Sequence, residues 1–66
     1  MPDHSYLVNR AVVVFGTRPF LASSIAVEVR RRNADVMESI EALVAEGRLV
    51  VVEEQPARLY KVKEQS

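Results

Sequence analysis

The spacing of apolar residues changes at Gly47, and this change constrains the fold more than any other feature of the chain. Before Gly47, apolar residues recur at the i, i+4, i+7, i+8 spacing of a helix that packs one face on a core: Val36, Ile40, Leu43 and Val44. After it, residues 48–54 and 58–63 show the two-residue alternation of strands, with Pro56 in the turn between them. The sequence therefore predicts a helix that stops at Gly47 and leads directly into a β-hairpin.

The start of this helix has two candidate N-terminal caps. Asp35, with Glu38 three residues later, fits a capping-box pattern in which Asp replaces Ser or Thr. Asn33 is the alternative, because its side chain also accepts a hydrogen bond from the first helical turn. With either cap, the predicted helix runs to about Glu46.

An earlier helix is predicted at residues 6–15. Ser5 is a candidate cap, and Gly16 is a natural C-terminal stop. The β-branched run Val12–Val14 also suits a strand, but the stop at Gly16 favours the helix. A helix this apolar needs cover on more than one side, which predicts a homodimer formed through it.

A turn and a second helix separate these two segments. Residues 16–20 are typical of a turn, because Pro19 disfavours helix at the residue before it. The second helix is predicted from about Ala22 to Arg31, with Ser23 or Ser24 as its cap. Its inner stripe is Ile25, Ala26 and Val29.

Length and composition limit what a chain of 66 residues can form. We expect one domain, 1–66, with flexible tails at 1–4 and 64–66. Such a chain buries only roughly 60% of its unfolded surface, so self-association is a natural source of extra stability. The chain has no cysteine, and its one histidine, His4, lies in the N-terminal tail. We therefore expect no disulfide, no metal site and no cofactor.

No apolar run approaches the roughly 18 residues that a membrane span needs, and the longest is Ala11–Phe15. The sequence also has no signal-peptide pattern, so the expected location is cytoplasmic, with no membrane partner.

The sequence does not predict an enzyme. Ser23 and Ser24 have no histidine near them in sequence, and Glu38 and Glu41 lie on a convex helix face rather than in a cleft.

Positive and negative charges are segregated along the chain, although its net charge is zero. Residues 1–33 hold five arginines against two carboxylates, a balance of +3. Residues 34–66 hold four cations against seven carboxylates, a balance of −3. A dedicated nucleic-acid-binding domain is usually basic overall, because phosphate neutralisation supplies most of its non-specific affinity. In this chain, local basic patches would have to supply that affinity.

The order of the elements resembles the winged helix-turn-helix family of DNA-binding domains. The resemblance is carried by SSIAVEV in the second helix, VMESIEALVAEGRLV from the third helix into the hairpin, and RLYKV in the returning strand. It spans about Tyr6 to Lys63 and implies an α+β fold, mostly α, with three helices and a C-terminal β-hairpin. In this family the third helix enters the major groove of DNA, and the hairpin, or wing, lies beside the backbone or minor groove.

The resemblance implies DNA contacts in the turn before the third helix, on that helix and on the hairpin. The implied residues are Arg30, Arg31, Arg32, Asn33, Met37, Ser39, Arg58 and Lys61. The cations would hold phosphates, and the start of the third helix would read base edges. These cations also have a simpler interpretation: the arginines complement the dipole at the end of the second helix, and the hairpin cations prevent pairing between sheet edges.

An acidic row on the third helix supports an alternative function. Asp35, Glu38 and Glu41 would face phosphates and weaken the attraction of this helix for DNA, although a carboxylate can accept a hydrogen bond from cytosine N4. The sequence leaves three interpretations of this acidic row open. It is a solvated helix face, a surface that reads bases, or a docking surface for a basic protein partner. The sequence thus supports two functions. One is a transcription-regulator-like protein that binds duplex DNA as a dimer, and the other is a protein-interaction winged helix without DNA binding.

Overall fold

A computed structural model describes residues 4–63, and it confirms a mostly helical α+β fold. The elements in chain order are α1 (Ser5–Phe15), β1 (Phe20–Leu21), α2 (Ala22–Val29), α3 (Asn33–Ala45), β2 (Leu49–Glu53) and β3 (Leu59–Val62). The expected flexible tails, 1–4 and 64–66, lie outside the described residues except for His4.

The first element is a helix, so the strand alternative for residues 12–14 is wrong. Leu7 and Ala11 are fully buried on its inner side. The helix ends at Phe15, and Gly16 follows at φ +61, a positive φ that glycine adopts without strain. The predicted C-terminal stop is confirmed.

The N-terminal caps predicted for the second and third helices do not form within residues 4–63, and the N-cap position of α1 is one residue before the predicted one. The N-cap positions are occupied by His4, Leu21 and Arg32, and none of them makes a side-chain cap hydrogen bond. The predictions for Ser23, Ser24, Asn33 and Asp35 are therefore wrong, and the N-cap position of α1 is His4 rather than Ser5. Two of these side chains have other partners: Ser5 accepts a hydrogen bond from Arg48, and Asp35 pairs with Arg32.

The second helix is shorter than predicted, because Arg30 leaves the helical conformation. It lies at φ 57, in the left-handed region, and the N–H of Arg31 donates to the carbonyl of Ala26. This is the usual way in which a helix closes its last carbonyl groups, although the left-handed residue is more often glycine. As a result, all three arginines lie beyond the end of α2.

A short strand, β1, replaces the end of the turn predicted at residues 16–20. Phe20 pairs with Tyr60 of β3, and Leu21 pairs with Leu59. The Phe20 ring also stacks on Phe15, with ring centroids 5.0 Å apart. Two residues are too few to show an alternating pattern, so this strand is set by tertiary contacts rather than by local sequence.

The sheet has the strand order β1-β3-β2, with every pair antiparallel. The register of β2 on β3 slips between Val51 and Glu53. This order of helices and strands is compatible with a winged-helix-like layout.

The core lies between the three helices and the inner face of the sheet. In residues 4–63 its buried apolar members are Leu7, Ala11, Phe20, Ile25, Ala26, Val36, Ile40, Leu43, Leu49 and Tyr60. The inner stripes predicted for α2 and α3 are confirmed, with Val29 and Val44 packed at the margin of the core.

Candidate functional site

Three consecutive arginines, Arg30 to Arg32, form the connection between α2 and α3, and we call them the arginine turn. All three side chains are exposed. The guanidinium of Arg31 lies over the ring of Tyr6, 4.5 Å from its centroid. Arg32 Nε lies 3.4 Å from Asp35 Oδ2, in an ion pair that is open to solvent. Arg30 forms no ion pair with any residue between 4 and 63.

The helix dipole explains only part of this turn. Cations at the end of a helix complement the partial negative charge of its carbonyl groups. The arginine turn follows α2, but it also immediately precedes α3, where the partial charge of the helix is positive and cations are unfavourable. The turn therefore places three cations beside a helix N-terminus, and each of these positive charges favours an anion.

The face of α3 that points away from the core carries no cation. Its residues are Ala34, Glu38, Glu41 and Ala45, spaced four, three and four apart, and all are exposed. We call this the free face of α3. Neither Glu38 nor Glu41 forms an ion pair within residues 4–63. The acidic row predicted from the sequence is thus present, but Asp35 is neutralised by Arg32 and only the two glutamates lie on the free face.

Ser39 corrects one sequence-based expectation, because it is buried and cannot face a DNA groove. The residue is only 4% exposed. Its Oγ lies 2.9 Å from His4 Nδ1 and 2.8 Å from the Tyr6 hydroxyl. Position 39 falls between Val36 and Ile40 on the inner side of the helix, so the helical spacing alone could have placed it there.

His4 and Tyr6 adjoin the arginine turn, although no sequence motif indicated this position for them. His4 was expected in a loose tail, yet its ring contacts α3 through Ser39. Tyr6 contacts the same hydroxyl and also stacks on Arg31. Together these side chains link the start of α1 to the arginine turn. Because Ser39 is enclosed, its contact with His4 presents no accessible nucleophile.

On the hairpin, Arg58 lies beside α3. Its guanidinium is 3.1 Å from Glu54 Oε1. A hydrogen bond with the Tyr60 side chain, and then the nearby Glu54 carboxylate, raise the pKa of Arg58 above its ordinary value. Arg58 and Tyr60 line two open grooves of about 320 and 290 Å³, and Met37 forms a wall of the larger one.

Lys61 does not join this surface. It pairs with Val50, one position after the buried Tyr60, and side chains alternate between the two faces of a strand. Lys61 therefore lies on the outer face of the sheet, whereas Tyr60 lies on the inner one. Of the DNA-contact residues implied by the resemblance, the structure places the arginine turn, Asn33, Met37 and Arg58 around the first turns of α3, and separates Ser39 and Lys61 from them.

Within residues 4–63, none of the helices has the length and apolarity needed to cross a bilayer, and no cluster of potential ligands suits a metal ion. No protein-family model matches the chain, and neither the curated proteins nor the solved structures give a match.

Proposed function

We propose that this protein is a small winged-helix DNA-binding protein of the transcription-regulator type that contacts duplex DNA with the arginine turn. One observation carries the proposal: three exposed arginines stand at the N-terminal end of α3, where the helix dipole adds to their attraction for phosphate. A dipole-complementing role at the end of α2 would not require three cations placed against the start of α3.

In the proposed complex, the exposed residues make two kinds of contact with DNA, to phosphates and to bases. Arg30, Arg31 and Arg32 bind phosphates, and Arg58 binds a phosphate on the far side of α3. Asn33 is exposed at the start of α3 and is free to meet a base edge, where Asn pairs best with adenine. Met37 is half-buried and offers an apolar contact. Ser39 and Lys61 are left out of the interface.

We further propose that the protein acts as a dimer through α1, and that it does so in the cytoplasm. Val12 and Val13 support the dimer, because their side chains are 50% and 75% exposed on a helix whose other face is the core. Burying such residues against a second copy removes apolar surface from water.

The test is fluorescence anisotropy of the protein with random duplex DNA, from low to physiological salt. We expect affinity to fall steeply with salt, because each phosphate contact releases counterions. Arg31→Ala should weaken binding to all sequences alike and reduce the salt slope by about 1. Arg10→Ala, which removes the same charge from α1, is the matched control and should leave binding nearly unchanged. A loss confined to particular sequences, or equal losses for both variants, would contradict the assigned role.

A second candidate function is supported by Glu38 and Glu41, which form no ion pair with residues 4–63 and lie where a DNA-reading helix usually carries neutral or basic side chains. In this case the free face of α3 binds a basic protein partner, together with the neighbouring Asp35, and DNA is not bound. The double variant Glu38→Lys, Glu41→Lys separates the two functions. It should strengthen DNA binding if α3 faces DNA, and abolish capture of a basic partner if α3 faces protein. Unchanged partner capture would exclude the second candidate.

A further inference from the structure

The ring of Tyr6 is fixed at its hydroxyl end and has a cation over its face. The hydroxyl lies 2.8 Å from Ser39 Oγ on the inner side of α3, and His4 Nδ1 lies 2.9 Å from the same oxygen. The side chain of Tyr6 also packs against the core. Because the hydroxyl is hydrogen-bonded and the side chain is packed, the ring keeps one position relative to α3.

The side chain of Arg31 lies on this ring. Its guanidinium carbon is 4.5 Å from the ring centroid, inside the roughly 6 Å over which the face of an aromatic ring attracts a cation. A guanidinium is planar and its N–H donors lie in its plane, so contact with a ring face leaves donors free for a phosphate. Within residues 4–63, the Arg31 side chain forms no hydrogen bond or ion pair that occupies these donors.

The other two side chains of the arginine turn are held differently. Arg32 Nε lies 3.4 Å from Asp35 Oδ2, so a phosphate must compete with a carboxylate for this cation. Arg30 has no ring contact or ion pair within residues 4–63, so its rotamers are restricted only when it binds, at a cost in entropy. Of the three arginines, Arg31 combines a supported position with donors that no residue between 4 and 63 occupies.

We propose that Tyr6 is a positioning residue for DNA binding, and that it makes Arg31 the principal phosphate ligand of the arginine turn. This inference rests on the proposed function and deepens it, because it assigns unequal roles to three adjacent arginines. A side chain that is already ordered in the free protein loses less entropy when it binds, so the same charge contributes more to affinity. Tyr6 acts through Arg31 and is not itself a DNA contact.

The test is a double-mutant cycle of Tyr6→Leu and Arg31→Ala in the full chain, measured by fluorescence anisotropy with random duplex DNA at low salt. We expect Tyr6→Leu to weaken DNA binding by about twofold to fivefold, because it removes the ring but keeps every charge. In the Arg31→Ala background the same substitution should change affinity very little, since the cation that the ring supports is absent. Tyr6→Phe keeps the ring face and should retain most of the affinity.

A second cycle, of Tyr6→Leu with Arg30→Ala, is the matched control. Arg30 carries the same charge one residue away and does not contact the ring, so the losses from these two substitutions should be independent. A general loosening of the fold by Tyr6→Leu would weaken binding equally in the Arg30→Ala and Arg31→Ala backgrounds. Positioning by the ring predicts coupling with Arg31 alone.

The outcomes separate this inference from the function on which it rests. If the wild-type protein binds DNA and the losses from Tyr6→Leu and Arg31→Ala are independent, the inference is overturned and the proposed function stands. If the wild-type protein binds no DNA even at low salt, the proposed function is overturned, and the inference with it.

Lysine substitutions decide the question if circular dichroism shows that Tyr6→Leu does not fold. Lysine keeps the positive charge but lacks the planar group that lies on an aromatic face. Arg31→Lys should therefore weaken DNA binding by about threefold or more, and Arg30→Lys by less than about twofold. Equal losses for the two lysine variants would overturn the inference.

Discussion

At the scale of single residues, one hydroxyl group, that of Ser39, connects the start of α1 to the middle of α3. It lies within hydrogen-bond distance of both His4 and Tyr6, and Tyr6 in turn carries Arg31 on its ring. A cation over an aromatic ring at an exposed site contributes roughly 0.5–1 kcal/mol. The packing of α1 therefore bears directly on where the arginine turn can reach.

We expect Ser39→Ala to lower the free energy of unfolding by about 1 kcal/mol, because it leaves the His4 ring and the Tyr6 hydroxyl without their shared partner. Urea unfolding followed by circular dichroism measures the difference. Ser23→Ala is the control, since Ser23 is exposed on α2 and its loss should stay within about 0.5 kcal/mol. Equal effects of the two substitutions would show that the Ser39 contacts do not stabilise the fold.

At the scale of secondary structure, Gly47 allows α3 to turn into β2 through a connection of only three residues, 46–48. Its φ is +77, its N–H donates to Val44 O at 3.0 Å, and the N–H of Arg48 donates to Leu43 O at 2.9 Å. These two bonds satisfy carbonyl groups that the end of a helix would otherwise leave open.

Gly47→Ala should reduce stability by about 1 kcal/mol, because an alanine at positive φ brings its Cβ close to its own backbone. Apart from residues 46–48, no atom lies within 4 Å of the position that this Cβ would occupy, so the loss reflects local backbone conformation. Gly47→Asn should cost less, since Asn tolerates this conformation better. Thermal unfolding of the three proteins is the measurement. An Asn variant as unstable as the Ala variant would show that something other than φ limits position 47.

The periodicity of the sequence was sufficient for the long elements and insufficient for the short ones. The stripe of α3 and the stop at Gly47 follow from local spacing and backbone preference, which act within a few residues. The strand at Phe20 depends on pairing with Tyr60, forty residues away in the chain. The prediction of a cap at Asp35 was wrong for a related reason. Its carboxylate could accept a hydrogen bond from its own helix, but it pairs with Arg32 instead.

At the scale of the whole molecule, stability depends on one small core. Ten buried apolar residues form it within residues 4–63, and Leu43 is among those that are fully buried. Domains of ordinary size are stable by only about 5–15 kcal/mol, and a chain this short belongs near the lower limit.

Leu43→Ala should therefore remove about 2–5 kcal/mol and unfold a large share of the molecules at 37 °C. Val27→Ala is the matched control, because Val27 is 75% exposed and makes no core contact of this kind. Circular dichroism during heating distinguishes the two variants. A similar fall in melting temperature for both would contradict the burial that the structure assigns to Leu43.

The candidate site could be predicted from the sequence only where its residues are contiguous. The arginine turn is evident in the sequence as three consecutive arginines, and all three side chains are exposed in the structure. Arg58 and Lys61 look equivalent in sequence, yet one lies beside α3 and the other on the outer face of the sheet. That separation depends on strand register, which is a property of the assembled sheet.

The slip of register in β2 has a consequence for behaviour at high concentration. β2 is an edge strand, and the run Leu49–Val52 is apolar, β-branched for three residues and uncharged, the composition that favours fibril growth. A straight edge would offer evenly spaced donors and acceptors on which strands from other molecules could stack indefinitely. The bulge between Val51 and Glu53 bends and twists that edge, so the spacing is broken in its outer half. An irregularity of one residue thus protects an aggregation-prone segment from acting as a template.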